Sequence, residues 1–218
     1  MMDNKKSFPK HSRLWHGAIL HTIAHAISIA SNPILSYEVS WEDQVYKLQD
    51  SMGSHGVILF AENYVIGAFF DEESSRNPFR LNLSNYDFNR LITEIPAPQL
   101  SDLNKKILPF FLDEYQGTLV PVITSVFWSK GEYLTGSEPW ETICVHGGHL
   151  INTEVMEQGA ALLFFKDEYE FSVSQLSLLK SLYNRRITLP ISTYLKLNKT
   201  EYENFISNGN AGLEESKE

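Results

Sequence analysis

The stretch from residue 12 to residue 30 constrains the fold more than any other part of the chain. Placed on a helix, its apolar side chains cover well over half of the circumference. A surface helix carries a narrower apolar stripe, so this helix must be buried in the fold or in an interface. The remaining stripe of small and polar residues comprises Arg13, Gly17, Ala24, Ser28 and Ser31. The chain must therefore supply a core around this helix, unless a second copy covers it in a homo-oligomer.

The rest of the chain supplies strands and helices without regular alternation of the two. Two apolar runs, 56–60 and 64–70, flank a short polar turn and predict a β-hairpin. We expect further strands at 34–46, 119–128, 140–145 and 191–197, and helices at 101–115, 153–169, 172–186 and 200–206. Because no βαβ repeat is present, the sequence predicts an α+β fold with a mainly antiparallel sheet, an N-terminal buried helix and C-terminal helices.

The domain organisation follows from length and from the absence of a linker. A chain of 218 residues suits one large domain or two small ones. No linker-like stretch divides it, so we expect a single globular domain over residues 1–207. The polar segment 208–218 predicts a flexible acidic tail.

The single cysteine and the net charge of −9 argue against several classes of protein. Cys144 alone cannot form an internal disulfide or a multi-cysteine metal site. The excess of carboxylates repels nucleic-acid phosphates, so we expect no nucleic-acid binding. No apolar stretch reaches the length of a membrane span, and histidines interrupt a signal-peptide-like outline near the N-terminus. We therefore expect a soluble cytoplasmic protein that has no membrane association and no cofactor.

The loop after the predicted hairpin is the first candidate for a functional site. It contains Asp71, Glu72, Glu73 and Arg76. Carboxylates at strand ends occur in hydrolase and metal sites, and more often in solvated turns. Arg76 predicts local ion pairing within the loop. We take these four residues as a candidate binding surface for a partner.

Four histidines are the second candidate. His21 and His25 lie four residues apart on the predicted helix and share a face that can chelate a metal. His146 and His149 flank two glycines in a predicted loop. A metal site made of all four requires these distant segments to meet. The structural alternative is that the helix carries hydrogen-bonded core histidines and that the glycine loop is a turn with positive φ.

Two hypotheses of function follow. The common phosphate-loop, dinucleotide, zinc-protease, hydrolase-elbow and calcium-loop motifs are absent, which favours an acidic interaction module that binds a basic protein partner. A bacterial immunity-type inhibitor, which covers a basic toxin, has this physical profile. The alternative is a metal-assisted hydrolase that uses the histidines with the loop carboxylates. An enzyme should gather these groups in a pocket with perturbed acidity, whereas an inhibitor should spread its acidic residues over a flat or convex surface.

Overall fold

The computed structural model describes residues 7–30, 38–80, 86–190, 193 and 196–204. The chain forms two compact units. Unit 1 contains Met1–Ser12 and Trp41–Asn152, and unit 2 contains Arg13–Ser40 and Thr153–Glu218. The single domain expected over 1–207 stays a prediction, and the tail expected at 208–218 lies outside the described residues.

The elements confirm the predicted α+β class, with one helix near the N-terminus and others near the C-terminus. The α-helices are α1 (His11–Ile29), α2 (Phe88–Ile92), α3 (Ala97–Asp102), α4 (Trp140–Val145), α5 (Gln158–Glu168) and α6 (Val173–Arg186). The strands are β1 (Val39–Glu42), β2 (Val45–Gln49), β3 (His55–Phe60), β4 (Val65–Phe70), β5 (Leu112–Tyr115), β6 (Thr118–Pro121), β7 (Ser125–Lys130) and β8 (Tyr133–Thr135). None of the helices among these described residues is long and apolar enough to cross a membrane.

A six-stranded sheet in the order β1-β2-β3-β4-β7-β8 forms the centre of unit 1. Neighbouring strands from β2 to β8 pair antiparallel. The predicted hairpin is confirmed as β3 and β4, with Phe60 opposite Val65 at the closed end. Both strands are almost entirely buried, which explains why their sequences are continuous apolar runs rather than alternating ones.

The main core of unit 1 lies against one face of this sheet. Alternate residues of the central strands point into it, as the period of two requires. These are Val57, Leu59, Ile66, Ala68, Phe70, Val126 and Trp128. Buried residues of the connection between β4 and β7 complete the core, namely Leu91, Ile95, Leu103, Ile107 and Phe111. The connection therefore serves as the second layer of unit 1.

The helix predicted at 101–115 is wrong in both type and bounds. α3 begins before it, directly after Pro96. The chain then continues as a π-helical turn (Leu103–Ile107) and a 3-10 turn (Leu108–Phe111). Pro109 lacks the backbone N–H that an α-helix interior needs, so no regular α-helix passes this point. The chain enters β5 where a helix was expected.

Two predicted strands also differ from the structure. Segment 119–128 forms two strands in different sheets, β6 and β7, and β6 ends at Pro121. Segment 140–145 forms α4, which starts after Pro139. In its first turn the N–H of Ile143 donates a hydrogen bond to the carbonyl oxygen of Pro139. A short apolar run fits both the helical and the strand period, so the pattern alone could not separate them.

Unit 2 contains most of α1 together with α5 and α6. The helix predicted at 172–186 is confirmed as α6, and its cap is Ser172, whose hydroxyl accepts the N–H of Gln175 while the Gln175 side-chain oxygen accepts the N–H of Ser172. The helices supply buried side chains that include Leu14, Ala18, Ile27, Phe165, Leu179 and Tyr183. A helical segment at 199–204 agrees with the predicted final helix, and most of the predicted strand 191–197 lies outside the described residues.

Gly17 lets α1 touch the backbone of Glu154. A Cβ atom on Gly17 would overlap the carbonyl oxygen and Cα of Glu154. The sequence pattern separated Gly17 and Ala24 from the apolar face of α1, yet both residues are buried. The small residues of α1 therefore belong to a packing face, because only a residue without a side chain lets another backbone come this close.

Replacing Gly17 by alanine should destabilise the protein by about 1–3 kcal/mol, because the new methyl group overlaps backbone that cannot move aside easily. Gly159→Ala in α5 is the matched control, since nothing lies within 4 Å of its Cβ position. This control should be neutral or stabilising by up to about 1 kcal/mol. Urea denaturation followed by circular dichroism measures both variants. A Gly17→Ala midpoint equal to that of the wild type would contradict the contact.

Candidate functional site

The predicted loop follows β4 and is organised around Asp71. This residue is buried, and its Oδ1 accepts hydrogen bonds from Glu73 N–H at 2.9 Å and from the Ser54 hydroxyl at 3.4 Å. Its own N–H donates to the Thr124 hydroxyl at 3.0 Å. Asp71 thus stabilises the turn from inside.

Glu72 and Glu73 are also engaged within the loop. Glu72 accepts the Asn77 side-chain amide, at 3.0 Å through its carbonyl oxygen and at 3.3 Å through its carboxylate. Glu73 and Arg80 form two hydrogen bonds, of 2.6 and 3.1 Å. The Arg80 guanidinium lowers the pKa of the Glu73 carboxyl below its ordinary value. These acids are therefore satisfied by neighbours in the same segment.

Arg76 pairs outside the loop, which corrects the expectation of local pairing. Its guanidinium donates two hydrogen bonds to Glu138, at 2.5 and 2.7 Å. Glu138 also lies 3.4 Å from Arg90. The two parallel bonds orient both groups and join the loop to the segment before α4.

The structure brings one predicted metal ligand, His146, to this loop. Its Nδ1 lies 2.8 Å from the Ser74 hydroxyl oxygen. Its carbonyl oxygen accepts the Thr124 hydroxyl at 2.7 Å and the Ser125 hydroxyl at 2.8 Å. At the end of α4, the ring of His146 is therefore bonded to Ser74 and its backbone carbonyl to Thr124 and Ser125.

The bonds of Ser74 indicate which nitrogen of His146 carries the proton. The buried Ser74 hydroxyl has Nδ1 of His146 as its only acceptor among the described residues, and its oxygen accepts Arg76 N–H at 3.1 Å, so the hydroxyl proton is satisfied when it points to Nδ1. Burial, followed by the charge of Arg76, lowers the pKa of His146 despite the carboxylates of Glu138 and Asp71. A neutral ring that accepts at Nδ1 is protonated at Nε2. No described residue bonds this Nε2–H, which leaves one donor available at the site.

Gly147 turns the chain back against β4 directly after His146. Its φ of +118° lies in the left-handed region, and a Cβ atom there would lie 2.5 Å from Phe69 Cβ and 3.5 Å from Asp71 Cβ. The predicted glycine turn with positive φ is therefore confirmed. A side chain at this position would overlap Phe69 in β4 and is strained by the positive φ.

The Ser74→Ala variant tests this arrangement. Without the hydroxyl, the Nε2–H tautomer of His146 should lose its preference, and stability should fall by about 1 kcal/mol. In the wild type we expect the Nε2–H tautomer and a titration midpoint below 6.5. Since folding favours the neutral ring, the stability linked to His146 is complete above pH 6.5 and is lost as the pH falls below that value.

Nitrogen NMR of the imidazole measures the tautomer and the midpoint, and urea denaturation measures the stability. Ser75→Ala, at the exposed neighbouring serine, is the control and should change neither. A wild-type midpoint at or above 6.5, or an Nδ1–H tautomer, would contradict the assignment.

His149 lies in the 3-10 turn Gly148–Ile151 and has a different partner. It is exposed, and its Nδ1 is 3.2 Å from the carbonyl oxygen of Cys144. The ring therefore bonds a carbonyl oxygen in the last turn of α4, a common place for histidine. His146 and His149 make separate hydrogen bonds.

The two helix histidines lie in a polar cluster of unit 2. His21 Nδ1 is 2.7 Å from a carboxylate oxygen of Glu154, and its Nε2 is 3.4 Å from the Tyr169 hydroxyl. Glu154 is fully buried and also accepts the Thr153 hydroxyl at 3.1 Å. His25 is buried too, and its ring centre lies 6.3 Å from that of His21. His21 thus has the hydrogen bonds that the structural alternative predicts.

Within the described ranges, no group of three or more His, Cys, Asp or Glu side chains has the arrangement that holds a metal ion. His21 and His25 belong to unit 2, whereas His146 and His149 belong to unit 1. The four-histidine metal site stays a prediction. The hydrogen bonds of His21, His146 and His149 give each of these rings a role that needs no metal.

The hairpin β5–β6 presents a surface that the sequence did not indicate. It forms a separate two-stranded sheet. Its turn has positive φ at Gln116 (+50°) and Gly117 (+79°), which is the type I′ geometry that matches strand twist. The register and the period of two place four residues on one face, which we call the outer hairpin face. They are Leu112, Glu114, Leu119 and Pro121.

The outer hairpin face combines exposed apolar surface with a carboxylate. Leu119 is 65% exposed and Leu112 is 40% exposed. Glu114 is exposed and forms no ion pair with any described residue. On the opposite face, the Tyr115 ring lies 6.4 Å from the ring of Phe79, which follows the Asp71 loop. That loop therefore supports the hairpin.

Sequence reasoning missed this surface because it assigned Leu119 to one long buried strand. Two signals could have revealed it. Gln116 and Gly117 stand between two short runs, as in a tight hairpin turn. Pro121 interrupts the apolar run and argues against a central strand.

Comparison with known proteins identifies no relative of this chain. No protein-family model matches the chain, and no curated protein or solved structure matches it.

Proposed function

We propose that this chain is an acidic interaction module that binds a basic protein partner. The observation that carries the proposal is the imbalance of paired and unpaired charges in unit 1. Of its described lysines and arginines, six form ion pairs, and two, Lys105 and Lys130, do not. Exposed carboxylates without an ion pair among the described residues include Asp43, Glu62, Glu94, Asp113 and Glu114.

This imbalance favours a positively charged protein over other ligands. Unpaired carboxylates attract a basic surface during approach and repel nucleic-acid phosphates. The net charge of −9 also attracts a positively charged partner at long range. An immunity-type inhibitor that covers a basic toxin in the bacterial cytoplasm is the concrete role that we propose.

In this proposal the partner does not bind the loop at Asp71–Arg76, which the sequence suggested as the contact surface. Asp71 is buried, Glu73 pairs with Arg80, and Arg76 pairs with Glu138. Groups that already have partners gain little from a new one, because the existing bonds must first be broken. The loop at 71–76 therefore supports the site, and the unpaired carboxylates provide the attraction.

A hydrolase is the second candidate, and His146 is the observation that favours it. A held imidazole with an available nitrogen, close to Asp71 and Arg76, has the features of an acid–base group. Ser74 is buried, which argues against it as a nucleophile. An Nε2–H tautomer also cannot bind a metal through that nitrogen, so the metal-assisted form of this hypothesis needs the opposite tautomer.

Binding of short synthetic peptides tests the interaction function. We expect the full chain to bind a peptide of alternating lysine and leucine, and to ignore a glutamate–leucine peptide of the same length. Raising the salt from about 0.05 to 0.5 M should weaken binding by about tenfold, because screening reduces attraction between exposed charges. Isothermal titration calorimetry measures both effects. Equal binding of the two peptides, or an affinity independent of salt, would contradict the proposal.

A further inference from the structure

We propose that the outer hairpin face is the docking surface, and that it takes a basic protein segment with apolar residues between its cations. This inference rests on the proposed function and names its contact site. The face contains exposed leucines beside Glu114, a carboxylate that has no ion pair with the described residues. The occupant must therefore satisfy both apolar contact and charge.

The apolar part of the face indicates contact with another chain. Leu119 projects from the hairpin with 65% of its surface exposed, and Leu112 lies across from Pro121 in the same plane. Exposed apolar side chains grouped on one face, rather than scattered singly, are typical of interaction sites. The central part of an interface consists of such residues, which lose water when a partner covers them.

The charge on the face selects the kind of partner. Glu114 lies directly opposite Leu119 in the register, so its carboxylate stands among the apolar side chains. Asp113 precedes it on the opposite face of the hairpin, is likewise exposed, and forms no ion pair with the described residues, so it adds to the negative charge of the hairpin without belonging to this face. The hairpin itself, 112–121, contains no lysine or arginine. A lysine or arginine from the partner would therefore supply the missing counter-charge.

The edges of the hairpin are less suited to binding than its face. The N–H of Glu114 donates to Asp113 Oδ1 at 2.7 Å, which satisfies one donor of β5. Pro121 in β6 has no N–H to offer. Both features are ways in which proteins protect strand edges from pairing with another strand. The partner is therefore expected to lie across the side chains of the outer face.

The hairpin is also held in place before a partner arrives. Its turn residues, Gln116 and Gly117, adopt the conformation that a two-residue turn requires. Val122 N–H bonds the Phe111 carbonyl oxygen at 2.8 Å and extends the pairing to the base of the hairpin. The Tyr115 and Phe79 rings support its inner face. A preformed surface binds with a smaller loss of entropy than a disordered one.

A matched pair of double variants tests the site. Leu119→Thr/Glu114→Gln changes the outer hairpin face. Met52→Thr/Glu62→Gln changes an equally exposed apolar side chain and another carboxylate of unit 1 that has no ion pair with the described residues. Met52 and Leu119 are both 65% exposed. Isothermal titration with the lysine–leucine peptide should show binding weakened about tenfold by the hairpin variant and less than about twofold by the control. A lysine–serine peptide of the same length should bind the wild type more weakly than lysine–leucine does.

The outcomes separate this inference from the proposed function. Equal weakening by both double variants would overturn the hairpin site and leave the interaction function standing, because the attraction would then be spread over the surface. Absence of any binding to the wild type would overturn both. Sedimentation that shows a wild-type dimer, lost in the hairpin variant, would assign the face to a second copy and overturn the basic partner. Circular dichroism of each variant checks that the fold is kept.

Discussion

The hydrogen bonds to the carbonyl oxygen of His146 are the constraint on which the junction of β4, β7 and α4 depends. The hydroxyls of Thr124 and Ser125 reach this oxygen from the start of β7, and Thr124 also accepts the N–H of Asp71 at the end of β4. One carbonyl therefore joins two strands to the end of α4. Because Gly147 has no side chain, the chain can pass directly against β4 at this point. The position of His146, and of the loop that its ring contacts, follows from this junction.

The charges of unit 1 divide into two groups with different roles. Glu138 is only 10% exposed and is bound to Arg76, so this pair fixes the geometry of the loop. Glu73 is exposed but paired with Arg80. Glu114 is exposed and forms no ion pair with a described cation, and it lies opposite Leu119 in the register. The acidic residues that appear most concentrated in the sequence thus stabilise the fold, while a less conspicuous one is available for a partner.

The limits of prediction from sequence follow from the range of the interactions. The hairpin β3–β4 and the helices α1 and α6 depend on neighbours in sequence, so periodicity and turn residues revealed them. The partners of Arg76 and His146 lie 62 and 72 residues away, and no local pattern encodes them. The strand predicted at 140–145 is wrong for another reason. Its short apolar run fits both the helical and the strand period, so the surrounding structure determines which of the two forms. The outer hairpin face was missed because an apolar residue is buried in most contexts, and Leu119 is exposed.

Hydrogen exchange of the backbone amides, with and without the lysine–leucine peptide, tests the account most directly. We propose that the hairpin contacts the partner, whereas the acidic loop supports the structure. The peptide should slow exchange at residues 112–121 and leave residues 71–80 unchanged, because only the former lie under the bound segment. If the peptide slowed exchange only at residues 71–80 and not in the hairpin, the result would contradict the account and identify the loop as the binding surface.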